Sequence, residues 1–206
     1  MPRIPFSDFN TAMRNPSAYR RRMEQGDRGF FRQTYTMVLR EAIFRYHKNG
    51  ENIEDAQQYL EERLNSFANE KRRNDTIDQF HWYIGEFISQ GWPVFQTRLN
   101  IRIPLPTWTP EDLYSSGQIS RIDLVPEGGY AAWLMRKREE QNWQDELQMP
   151  LIQKTLADCT LQVPLREISV GVICFEDRTI DSHCYIEEDV RKAEEDLEHL
   201  LRNLVF

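Results

Sequence analysis

The apolar residues of this chain change their period once, near residue 93, and that change limits the folds open to it. Up to residue 92 they recur at helical spacing. After a turn at Gly26–Gly29, the segment FFRQTYTMVLREAIFRYHKN carries apolar side chains at 31, 35, 38, 39, 42, 43 and 46, and Gly50 ends the helix they predict. A helix over about 53–72 aligns Ala56, Tyr59, Leu60, Leu64 and Phe67. Another, over about 75–90, turns Ile77, Phe80, Ile84, Phe87 and Ile88 inward before Gly91. Nearer the N-terminus, Ser7 reads as the cap of a short helix, and Asn15-Pro16 as a cap followed by proline at the first helical position.

From Val94 the pattern alternates. Phe95, Thr97, Leu99, Ile101 and Ile103 share one side of VFQTRLNIRI, the mark of a half-exposed strand. A proline-bearing loop leads to a strand at Gly117, and Glu127-Gly128-Gly129 turns the chain into another at Tyr130. A helix over about 141–158 follows, with Pro150 as a bend. Strands at 166–175 and 179–186 and a closing helix complete the order. The expectation is an α/β protein in which a helical region, 1–92, packs on an α/β core, 93–206.

Composition narrows the function classes. An apolar fraction of 40% and 12% aromatic residues in 206 exclude a disordered chain. No apolar run reaches bilayer length, so no membrane partner is expected, and the opening MPRIPFSDFN lacks the apolar stretch of a secretion signal, which points to a cytoplasm. Cys159, Cys174 and Cys184 fit no zinc spacing and read as buried thiols. The net charge of −7 hides an asymmetry: residues 1–48 hold ten Lys/Arg against four Asp/Glu, and the remainder sixteen against twenty-nine. A basic N-terminal section could meet a nucleic-acid backbone, the acidic surface of a protein partner, or the chain's own acidic half.

The stretch 117–152 carries a resemblance. Gly117-Gln118-Ile119-Ser120-Arg121 on one strand, Leu134-Met135-Arg136 on the next and Gln148 to Ile152 on the following helix resemble the motif frame of the PD-(D/E)XK nuclease superfamily, in its RecB- and Cas4-like branch. That branch has Gly-x-Ile-Asp-Arg, then (Asp/Glu)-x-Lys, then Gln-x-x-x-Tyr. Asn15-Pro16 and Tyr19 stand where its opening has a Cys-Pro and an aromatic. The resemblance implies a restriction-endonuclease-like αβββαβ core with a mixed sheet and an N-terminal helical extension. Some relatives hold an iron–sulfur cluster on four cysteines, a pattern missing here.

Carried over residue by residue, the resemblance argues against the reaction. Ser120 stands for the first metal-binding aspartate and Leu134 for the second acid, while Arg136 replaces the lysine and Arg40 an early-helix histidine. Gly117, Arg121 and Gln148 keep the frame. Gln148 either orients a site or bonds neighbouring backbone. A hydroxyl binds Mg²⁺ far more weakly than a carboxylate, leucine cannot bind it, and arginine stays protonated. No metal cofactor is expected on this reading; the alternative is an active Mg²⁺ or Mn²⁺ nuclease in which Asp123 has taken over. Regular alternation groups Ser120 with Ile122 and Leu124, and Arg121 with Asp123 and Val125, which makes Asp123 an exposed aspartate beside Arg121. Glu139, Glu140, Asp145 and Glu146 read as a solvated helix approach. Trp108 is the tryptophan best placed for a contact surface, with core packing the commoner outcome. Arg20, Arg21, Arg22, Arg28 and Arg32, with Arg136, are the candidate contacts for a DNA or RNA backbone.

Overall fold

The computed structural model describes residues 3–5, 8–25, 33–109, 113–138 and 142–204, and in it the change of period becomes a change of layer. The helices are α1 (Phe9–Arg14), α2 (Pro16–Gln25), α3 (Tyr35–Lys48), α4 (Ile53–Leu64) and α5 (Glu70–Gln90). Local chemistry sets their ends. Asn15 caps α2 by accepting from Ala18 N, and Thr34, Asn52 and Asn69 cap α3, α4 and α5 in the same way. Gly91, at φ 64°, closes α5 in the left-handed conformation. The helix expected over 53–72 stops at Leu64 because Asn69 begins a new one, so α5 starts earlier than its apolar stripe suggests. Ser7 lies outside the described residues.

The strands are β1 (Arg3–Pro5), β2 (Val94–Ile103), β3 (Tyr114–Leu124), β4 (Tyr130–Arg136), β5 (Ile168–Cys174) and β6 (Thr179–His183). β1 corrects the all-helical reading of residues 1–92. The sheet is mixed: β2 and β4 run antiparallel to β3, β1 parallel to β3, β5 parallel to β4, and β6 antiparallel to β5. The parallel β4–β5 step needs a crossover, which α6 (Gln148–Thr155) supplies. α7 (Glu187–Leu204) closes the chain.

Helices cover both faces of the sheet, each over its own apolar cluster. One cluster gathers α1, α2, α6 and α7 over Ile101, Ile103, Ile119, Ile122, Ala132 and Val170. The other gathers α3, α4 and α5 over Ala131, Trp133, Met135 and Ile173. β4 and β5 feed both clusters by strict alternation, as strands buried on two faces must. The expected αβββαβ order in an α/β fold is therefore present. The helix expected from 141 begins at Gln148, after a 3₁₀ turn at Trp143–Asp145. Pro150 sits in its first turn, where a missing N–H costs nothing, and so causes no bend. Cys174 is buried as expected, whereas Cys159 and Cys184 are exposed. Among the described residues no helix is long and apolar enough to cross a membrane.

Candidate functional site: a strand fork

β3 is longer than any strand beside it, and that inequality builds the site. β2 follows it from Ser115 to Asp123 on one edge. The other edge is shared: β1 takes 114–116 and β4 takes 121–124, with 117–120 between them. β4 leaves β3 after Trp133, so Leu134, Met135 and Arg136 pair only with β5. At the fork, Ser120 Oγ accepts the Met135 N–H at 3.1 Å, doing the work of a backbone carbonyl. Alternation also breaks here. Ile119 and Ile122 belong to the same apolar cluster although they are three residues apart. The β2 pairing keeps its register from Thr97–Arg121 to Leu99–Ile119, with Arg98 between them at φ 55°, and its register shift falls between Val94 and Gln96.

Leu134 packs against the α6-side cluster. Arg136, on the same side of β4, reaches Glu146 with two guanidinium nitrogens, Nη1 lying 2.6 Å from Oε1. Gln148 Nε2 donates to that carboxylate too, and its own Oε1 is buried without a hydrogen-bond partner. Glu146, 6% exposed, is thus a buried and neutralised acid, which corrects its reading as a solvated residue. Gln148 bonds this carboxylate; the glutamine that bonds backbone is Gln153, through Leu165 O and Tyr185 O. Gly117 pairs with Ile101 on the β2 edge.

Asp123 is 0% exposed and Arg121 is 1% exposed, so the expected exposed aspartate is corrected to half of a buried ion pair. Arg121 Nη2 lies 2.7 Å from Asp123 Oδ2, and Trp133 Nε1 donates to the same oxygen at 2.8 Å. Arg121 also donates to Gln90 Oε1 and Tyr83 Oη, and the guanidinium lies 5.0 to 5.9 Å from the rings of Phe87, Tyr83 and Trp133. The Tyr83 hydroxyl, accepting from Arg121, gives its hydrogen to His47 Nε2 at 2.6 Å. Burial, then the Arg121 charge, holds His47 down to about 3, so it is neutral. Burial pushes the Asp123 carboxyl up, while Arg121 and the Trp133 hydrogen bond draw it back. This network lies on the α3–α5 side of the sheet, and the Arg136–Glu146–Gln148 cluster on the α6 side.

The other candidates scatter. Arg40, on α3, faces Phe44 and Arg98; burial, then Arg98, lowers its pKa. Arg20 is half-buried, Arg21 Nε donates to Ser17 O, and Arg22 pairs with Asp8 at 2.7 Å. Their helix packs on the acidic α7. Arg28, Arg32, Glu139 and Glu140 lie outside the described residues. Trp108 is 42% exposed beneath Arg202, not in the core. Among the described residues no group of three or more His, Cys, Asp or Glu is placed to hold a metal ion.

The fork does not suit a divalent cation: its hydroxyl is engaged, Leu134 has no donor, and Glu146 is held by a guanidinium. Periodicity gave no hint of Glu146. A hint of the broken alternation was available, since Ile119, Ile122 and Leu124 do not share one alternation. Sequence reasoning also passed over a cleft of about 330 Å³ at the start of α3, where Arg72, Lys137, Arg138 and Arg178 meet.

No family model matches the chain, and no curated protein matches it. Among solved structures the fold is similar to that of a candidate exonuclease from Eubacterium rectale, with a TM-score of 0.53 and 8% identity over 98% of this chain and 81% of that one. At that identity the likeness is one of fold alone.

Proposed function

We propose that this chain is a nuclease-fold protein that does not cleave phosphodiesters and acts by binding, as a nucleic-acid-binding or scaffold subunit of a DNA-processing, defence or mobile-element system. The carrying observation is the fork. Metal-assisted cleavage needs carboxylates to hold the ion and a group that can take a proton from water. At the fork, Ser120 serves β4, Leu134 serves the core, and Arg136 stays protonated while neutralising Glu146. Asp123 offers no substitute, because it is spent on Arg121 on the other side of the sheet. Arg20, Arg21 and Arg22 on α2 are the candidate contacts for a phosphate backbone, and such contacts would be salt-sensitive and indifferent to sequence.

The test uses the purified chain with single- and double-stranded DNA and RNA, with and without Mg²⁺ or Mn²⁺. Expected are intact substrates, and retention that weakens steeply with salt and with reversal of Arg20, Arg21 and Arg22 to glutamate. Metal-dependent cleavage that Asp123→Ala abolishes would replace this reading with an active nuclease of rearranged ligands. Retention indifferent to both salt and charge reversal would leave a protein partner only.

A further inference from the structure

Three separate segments bring cations to one concavity. Tyr35 and Thr36, the first residues of α3, form one wall, Arg72 and Asp75 of α5 another, and Lys137, Arg138, Glu176 and Arg178, beyond β4 and between β5 and β6, the rest. Four cationic side chains face two acidic ones. Glu176 is shared by Lys137, at 3.3 Å, and Arg138. Arg72 and Arg178 make no side-chain hydrogen bond or ion pair among the described residues. Like charges gathered in excess of counter-charge repel one another, and an anion seated between them reduces that cost.

We propose that this cleft binds a phosphate monoester dianion, with Arg72 and Arg178 as its principal donors. The net positive excess of the lining matches a dianion better than the single charge of a backbone diester. Guanidinium forks suit phosphate oxygens, and the first turn of α3 adds a favourable dipole. The volume, about 330 Å³, accommodates a phosphate and part of the group that carries it. Asp75 opposes the anion, which gives the proposal a second sign to test. The same dianion could arrive on a free nucleotide or on the end of a strand.

Full-length protein is titrated calorimetrically with adenosine 5′-monophosphate and with adenosine, and by anisotropy with one oligonucleotide carrying either a 5′-phosphate or a 5′-hydroxyl. Saturable binding of the monophosphate but not of adenosine supports a free ligand; binding tightened by the strand's 5′-phosphate supports a strand end. In either case Arg72→Gln with Arg178→Gln weakens binding by about tenfold or more, and Asp75→Asn strengthens it. Both residues are exposed, and unchanged circular dichroism confirms the fold. Phosphate-blind binding, or binding indifferent to the arginine pair, overturns the proposal. Oligonucleotide retention that is insensitive to the end phosphate but salt-sensitive would do so while leaving the binding role above intact. Monophosphate binding without any oligonucleotide retention would reverse those fortunes.

Discussion

At the scale of the residue, the Arg121–Asp123 pair is where sequence reasoning and structure part most sharply. Removing one partner of a buried pair leaves an uncompensated charge, so Asp123→Ala should cost about 3–5 kcal/mol of stability in urea denaturation. Arg121→Met in the Asp123→Ala background should recover much of that loss, because the orphaned charge goes with it. A single variant as stable as the parent would show that the pair is not buried. His47 gives a pH signature. The unfolded imidazole takes a proton near 6.5, and the folded one refuses it until about 3, so stability falls as pH falls through that window. The expected loss is about 2 kcal/mol by pH 5. Asp123, with its pKa raised, acts with the opposite sign, its contribution shrinking as pH rises. Comparing the chain with His47→Gln, which keeps Asp123, isolates the histidine; equal acid slopes in the two would contradict its burial. None of this was legible from Asp123 itself, because a charged residue shows the same polarity whether water or a guanidinium solvates it.

At the scale of the element, the β3–β4 turn shows how two adjacent glycines differ. Gly128 and Gly129 have φ of 95° and 101°. A Cβ on Gly129 would lie 2.3 Å from the Glu167 carbonyl oxygen, whereas one on Gly128 meets open space. Gly128→Ala should therefore cost about 1–2 kcal/mol from backbone strain alone. Gly129→Ala should cost roughly 2–4 kcal/mol, since backbone must also move. Thermal melts of the two variants check the difference, and equal melts would refute the close approach. The turn itself was readable from Glu127-Gly128-Gly129; its packing on Glu167 was not, because that neighbour is distant in sequence. The same division holds along β3. Apolar spacing announced the strand, but only its unequal pairing with β1, β2 and β4 made a fork of it.

At the scale of the whole molecule, the N-terminal region serves two layers. β1, α1 and α2 join the cluster under α6 and α7, while α3, α4 and α5 cover the opposite face. The basic α2 lies against the acidic α7, so the charge asymmetry of the sequence is turned partly inward. The Arg136–Glu146–Gln148 cluster lies on the α6 side of the sheet, while the cationic cleft opens beside α3 and α5.

The α/β class and, β1 apart, the order of elements were determined by the sequence alone, because apolar period, caps and glycine turns are local and act over a few residues. The strand pattern on either side of Glu127-Gly128-Gly129 likewise located the strands of the fork before any coordinates. Partnership was decided only by the tertiary structure. Arg136 finds Glu146 across a loop, Arg121 reaches Tyr83 and thereby His47, and Arg72 meets Arg178 from another segment. Whether a charge is solvated, paired or left waiting depends on which distant chain arrives beside it. Desolvation sets the sign of that choice, and no local pattern records it.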